Sequence, residues 1–203
     1  VAFKRRFTLG AYLSGGAVNG DAWRDPSADI DADLVFERYR DYVALLEKGR
    51  FDAIFLFDTV GTLPDPATFE RDPGIPRWDT FMLLAALAVT SRHIGLIGTA
   101  NTTYNEPYNL ARRVASLDRL SKGRAGWNVV TGTGGGENFG HDAHVAHADR
   151  YVRAEEFVDV VTGLWDSVSP DAIHETARRG SGSIHQDYGL SIIPVHISVL
   201  QVR

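Results

Sequence analysis

The polar side chains best placed for chemistry sit where apolar runs end. Asp58 closes the run FDAIFLF. Thr99, Asn101, Thr102 and Thr103 follow the run beginning at Ile94. Asn128 and Thr131 belong to AGWNVVT, which opens into a loop with Gly132, Gly134, Gly135, Gly136 and Gly140. His147 and Tyr151 stand four apart at the start of a helical stretch, so both can face one ligand. In parallel β/α architectures, ligands gather at the carboxyl ends of the strands. Polar groups spread around one such rim suit a planar heteroaromatic ligand that needs several hydrogen bonds. A helix start at His147 would also favour an anionic group such as phosphate.

Each residue has a plainer reading. Asp58 can cap a turn, and the threonines can be ordinary strand ends. Asn128 is harder to dismiss, because an amide in an apolar strand must find partners. The glycine loop lacks the Lys-Ser/Thr ending of a phosphate-binding P-loop, so it reads better as a lid-like loop than as a phosphate cradle. His141, His144 and His147 stand three apart with Asp142 and Asp149 nearby, which raises metal binding. That spacing spreads rings around a helix and fixes nothing in a loop, and no H-E-x-x-H is present. No metal site is expected. Glu155 and Glu156 read as a solvated helix face, and no G-x-S-x-G nucleophile elbow occurs.

The elements that must hold these residues alternate in period. Phe7–Leu13 reads as a strand ending at Ser14-Gly15-Gly16. A helix is predicted from Asp33 to Lys48, with Gly49 as its stop. Phe51–Phe57 is apolar throughout, as in a strand covered on both faces. Asp79 can cap a helix that runs to Thr90. Ile94–Thr99 is a third strand. Pro107 suits the first turn of a helix that Gly123 ends. Ala125–Thr131 is a fourth strand, and Asp149–Ser167 a fourth helix with Phe157, Val160, Val161 and Leu164 toward a core. Four β-α units imply a parallel sheet with helices outside, but periodicity alone leaves an open sheet and a barrel both possible.

Composition narrows the classes. The 203 residues are 44% hydrophobic and 23% charged, an ordinary globular balance. A net charge of −5 argues against nucleic acid and anionic membrane as partners. Cysteine is absent, which excludes disulfides, thiol catalysis and thiolate metal sites. No apolar stretch reaches the roughly 18 residues of a membrane span. The N-terminal VAFKRRFTLGAYL is too interrupted for a signal peptide, so a cytoplasmic location is expected.

LARRVASLDRLSKGRAGWNVVTG (110–132), ENFG (137–140) and HADRYVRAEEFVDVVTGLWDS (147–167) together resemble the luciferase-like flavin monooxygenases. The similarity is strongest to the branch holding nitrilotriacetate monooxygenase component A and dibenzothiophene-sulfone monooxygenase. Ala22-Trp23-Arg24, FDAIFLFD (51–58) and TTYNEPYNLARR (102–113) add to it. The resemblance implies a TIM (β/α)8-barrel fold. It also implies reduced FMN as co-substrate, O2, a small organic substrate cleaved at a C–N or C–S bond, and a separate NAD(P)H-dependent flavin reductase. Asp58, Thr99 or Thr102, His147 and Tyr151 match flavin-contacting positions of the family, and Asn128 lies in its fourth-strand motif. A homo-oligomer is expected.

The resemblance covers about residues 7 to 167. Residues 1–168 are therefore expected to be the N-terminal half of a barrel, and 169–203 an atypical tail that comes from a frameshift, a misjoined end or truncation, or that has its own role. Half a barrel would leave open sheet edges and an incomplete phosphate end, so weak FMN binding is expected unless two copies associate. Three alternatives remain. They are a deazaflavin-dependent oxidoreductase, a non-catalytic half-barrel, and a hydrolase using metal on His141, His144 and His147.

Overall fold

The computed structural model describes residues 7–13, 25–27, 34–60 and 78–167. The readings placed on the Ser14 turn, Ala22-Trp23-Arg24 and the 169–203 tail lie outside these residues. The described chain runs β1 (Gly10–Leu13), α1 (Phe36–Lys48), β2 (Ala53–Leu56), α2 (Thr80–Thr90), β3 (Gly95–Asn101), α3 (Pro107–Ser121), β4 (Ala125–Val130) and α4 (His147–Asp166). A single 3-10 turn, Gly136–Phe139, lies between β4 and α4.

The four strands are all parallel and sit in chain order, β1-β2-β3-β4. Successive helices pack on one another: α1 on α2, α2 on α3, and α3 on α4. One continuous helical layer therefore covers one face of the sheet. A doubly wound sheet would reverse its strand order and place helices on both faces. The geometry that periodicity left open is thus resolved toward half of a (β/α)8 barrel.

The core lies between sheet and helices. Ile54 and Leu96 point outward from the sheet and are fully buried against Leu84 and Leu87 of α2 and Leu110 of α3. Each such side chain contributes roughly 1.5–3 kcal/mol by leaving water. α2 approaches so closely that a Cβ on Gly98 would meet Leu84 at 2.9 Å and Phe81 at 3.1 Å. Asp79 caps α2 by accepting from the Met82 N–H at 2.9 Å, as its position suggests. Pro107 opens α3, where a missing N–H costs nothing.

Three expectations need correction. Glu156 does not lie on a solvated helix face but is buried within α4. β2 is not covered on both faces. Ile54 and Leu56 are buried, but Ala53 and Phe55 alternate with them as half-buried residues on the inner face. The inner face is open among the described residues, and Tyr12 (47%) and Phe57 (46%) remain exposed there. Gly49 does follow α1, but with an ordinary helical φ of −73°, and Arg50 takes the left-handed conformation instead (φ 59°). The Gly49 and Phe51 N–H groups close that end on Leu45 and Leu46 carbonyls, at 2.9 and 3.0 Å. At the end of α3 the left-handed pair is Lys122 (φ 60°) and Gly123 (φ 85°). Among the described residues no helix is long and apolar enough to cross a membrane.

Candidate functional site

Strand periodicity puts Ile97, Thr99 and Asn101 of β3 on the inner face, beside their register partners Gly126, Asn128 and Val130 of β4. Thr99 is fully buried. Its hydroxyl donates to the Leu56 carbonyl at 2.8 Å and accepts from the Asn128 amide at 3.1 Å. These two bonds tie β2, β3 and β4 together across the inner face and answer where Asn128 finds a partner.

One pleat higher, the strands end around a cleft of about 370 Å³. Residues 57–60 after β2 form one wall. Asn101 and Val130 form the floor, residues 131–134 a second wall, and Tyr151 with Ala154 of α4 the third. Asn101 is buried, with its carbonyl groups committed locally. Oδ1 accepts from the Tyr104 N–H at 2.7 Å, and the backbone oxygen accepts from the Asn105 amide at 2.8 Å. The walls are largely apolar, through Phe57, Val60, Val129 and Val130. A few polar groups on mostly apolar walls can orient an aromatic ligand and keep water from it.

The six sequence candidates fall into three places. Asp58 and Tyr151 line the cleft, and the exposed ring of His147 lies 4.9 Å from that of Tyr151. Thr99 and Asn128 bond to each other one pleat below. Thr102 is fully buried at the end of β3. Its N–H donates to the Val130 carbonyl at 2.9 Å, while its hydroxyl has no partner.

α4 begins without a side-chain cap, since Ala146 precedes it. Its first N–H groups therefore remain available to an acceptor. Arg150, in that first turn, is buried (8% exposed), and its Nε has no hydrogen-bond partner. Arg153 reaches back from α4 to the carbonyls of Thr102 and Asn105, at 2.8 and 3.1 Å. The glycine loop is packed rather than loose. Tyr104 stacks on Phe139 with ring centroids 4.9 Å apart and planes 5° from parallel.

Tyr104 and Arg150 were not selected from the sequence, Asn101 was named there only as a strand-end residue, and His144 only as a possible metal ligand. The contacts of Tyr104, His144 and Arg150 join residues 40 positions apart or lie across the glycine loop, which spacing does not encode. The three histidines do not converge. His141 and His144 pack on Tyr104 while His147 packs on Tyr151. Among the described residues no cluster of three potential metal-binding side chains forms.

Comparison with known proteins gives a consistent result. A family model described as luciferase-like monooxygenase matches residues 20–200, a span that continues past α4. The chain is 41% identical over 180 residues to N-acetyl-S-(2-succino)cysteine monooxygenase of Bacillus subtilis, covering 87% of this chain and 40% of that protein. It is 43% identical over 197 residues to nitrilotriacetate monooxygenase component A of Aminobacter aminovorans, covering 92% of this chain and 42% of that one. Among solved structures, a riboflavin lyase with modified FMN and its substrate riboflavin matches with a TM-score of 0.73 and 33% identity. That match covers 83% of this chain and 40% of the lyase. The chain spans about two fifths of the length of the curated relatives it matches.

Proposed function

The chain belongs to the luciferase-like monooxygenase family, and from that premise we propose that the cleft at its strand ends forms part of a site for reduced FMN. The full reaction is an FMN- and O2-dependent oxidation of a small organic substrate at a C–N or C–S bond. The observation that carries this reading is the convergence of Asp58, Asn101, residues 131–134 and Tyr151 on one cleft at the carboxyl ends of parallel strands.

The residues present fit a flavin. The apolar walls suit the faces of a fused ring, and Asp58 offers a hydrogen-bonding group for its polar edge. The uncapped amino end of α4, with His147, Tyr151 and the unpartnered Arg150 Nε, suits a phosphate or the ring edge. Thr99, Asn128 and Thr102 shape the floor beneath. When bound, reduced FMN supplies the electrons that activate oxygen, and the protein's part is to orient it and exclude water. The riboflavin lyase with modified FMN supports the choice of flavin. The name component A supports a separate partner component, here an NAD(P)H-dependent flavin reductase. The amine and thioether in the two relatives' names support attack next to nitrogen or sulfur.

Anaerobic titration of the chain with reduced FMN tests the reading. Asp58→Ala and His147→Ala are each expected to weaken binding about tenfold, the loss of about 1.4 kcal/mol. Binding as tight as the parent's in both variants would overturn it.

A further inference from the structure

Residues 131–134 of the 131–146 loop form one wall of the cleft. Single bonds hold the loop at Thr131, to the Thr103 hydroxyl, and at Asn138, to the Val60 carbonyl, and one polar cluster spans it. Arg150 of α4 reaches both ends of the loop. Its Nη1 donates to the Gly132 carbonyl at 2.6 Å and bonds to Nε2 of His144. His144 Nδ1 lies 2.6 Å from the Tyr104 hydroxyl, in the segment after β3. Tyr104 is itself enclosed by the loop. Phe139 stacks on its ring, His141 lies 5.8 Å away, and a Cβ on Gly136 would come within 2.7 Å of its oxygen. Arg153 holds the backbone on either side of Tyr104 through Thr102 and Asn105.

The proton positions follow from chemistry. A guanidinium has five N–H donors and no acceptor, so His144 Nε2 must be the acceptor. The imidazole proton then sits on Nδ1 and donates to the Tyr104 oxygen. We propose that Tyr104, His144 and Arg150 are positioning residues that hold the 131–146 loop against the cleft, and that they do so only while His144 is a neutral imidazole protonated on Nδ1. A second proton on Nε2 would point a donor at a donor and set two cations together. The titratable and charged groups bonded to His144 are Arg150 from α4 and Tyr104 from the segment after β3, and His141 packs on the same Tyr104 ring. No carboxylate among the described residues is bonded to it to offset the charge.

The inference rests on the flavin reading only for its consequence, a cleft wall that lets go on acidification. Its test therefore uses no flavin. Hydrogen–deuterium exchange of peptides across 131–146 is followed in the ligand-free chain from about pH 8 to about pH 5, the range in which histidine changes charge. Rates are divided by the intrinsic exchange rate at each pH. In the parent, loop exchange is expected to rise about tenfold on acidification while α3 stays protected, the behaviour of a local opening. In His144→Gln, which takes no proton, that pH-sensitive rise is expected to vanish, whatever the starting level. In Tyr104→Phe, loop exchange is expected to rise severalfold already at pH 8. A parent loop insensitive to pH, a rise that persists in His144→Gln, or an unchanged loop in Tyr104→Phe would each overturn the proposal. A failed FMN titration leaves these outcomes untouched.

Discussion

At the amino-terminal rim of the sheet, charged side chains are spent on the backbone. Arg124 alone bonds the carbonyls of Ser121, Ile94, Ala88 and Ser91 and the Ser91 hydroxyl, at 2.6 to 3.3 Å. Glu47 accepts from the successive N–H groups of Arg92, His93 and Ile94, at 2.8, 2.6 and 3.0 Å. Asp52 accepts from Leu9 at 2.8 Å. The carboxyl-terminal rim differs. There the Thr102 hydroxyl and Arg150 Nε are buried without partners, α4 starts uncapped, and a cleft opens. A rim whose polar groups are saturated can only stabilise. A rim with groups left over can bind something, and this division between stability and activity is the one expected of a β/α barrel.

The largest effect that would sharpen this contrast is the loss of Arg124. Arg124→Ala leaves several carbonyls without their donor and is expected to cost about 3 kcal/mol of stability, since bonds to charged groups contribute about 1.5–3 kcal/mol each. Urea unfolding measures it, with FMN affinity of the folded fraction unchanged. A stability loss below about 1 kcal/mol would remove the basis for calling that rim structural.

On the other rim the balance should invert. Tyr151→Phe, which keeps the ring against His147 and removes the hydroxyl, is expected to change stability by less than about 0.5 kcal/mol, as surface substitutions do. Reduced-FMN affinity should fall about fivefold, nearly 1 kcal/mol. Equal losses in both quantities would erase the distinction between the rims.

A smaller effect concerns acid. Burial raises the tendency of Glu47 to hold a proton, but the His93, Ile94 and Arg92 N–H bonds outweigh it and hold its carboxyl below the usual 4.5. A carboxylate with a depressed folded value stabilises fully above its unfolded value. That stabilisation is lost as pH falls through the folded one. Glu47→Gln is therefore expected to cost about 1 kcal/mol near neutrality. It should also flatten the loss of stability below pH 4.5. Thermal melts across that range check both, and an unchanged acid limb would separate Glu47 from the amino-terminal rim's role.

Much of the architecture was legible from the sequence because it rests on local rules. Asp79 caps because a carboxylate after a loop meets free N–H groups. Pro107 starts a helix because its ring presets φ. Asn128 announces a partner because an amide in an apolar strand cannot stay unpaired. Asp58 and Tyr151 could be placed on one cleft because strand ends converge in any parallel sheet.

The sequence by itself thus determined the four β-α units, the strand-end location of the candidate site, and, through SKGRAGWNVVTG, the family resemblance. Only the tertiary structure decided that one helical layer covers the sheet and that Asn128 is satisfied by Thr99. It also decided that Arg124, inside the same motif, is a staple at the opposite rim from the cleft. Only the tertiary structure, too, assembled the Tyr104–His144–Arg150 cluster beside the cleft. The physical reason is range. Capping and periodicity act over three or four residues, whereas these hydrogen bonds join positions brought together only after strands β2, β3 and β4 have paired.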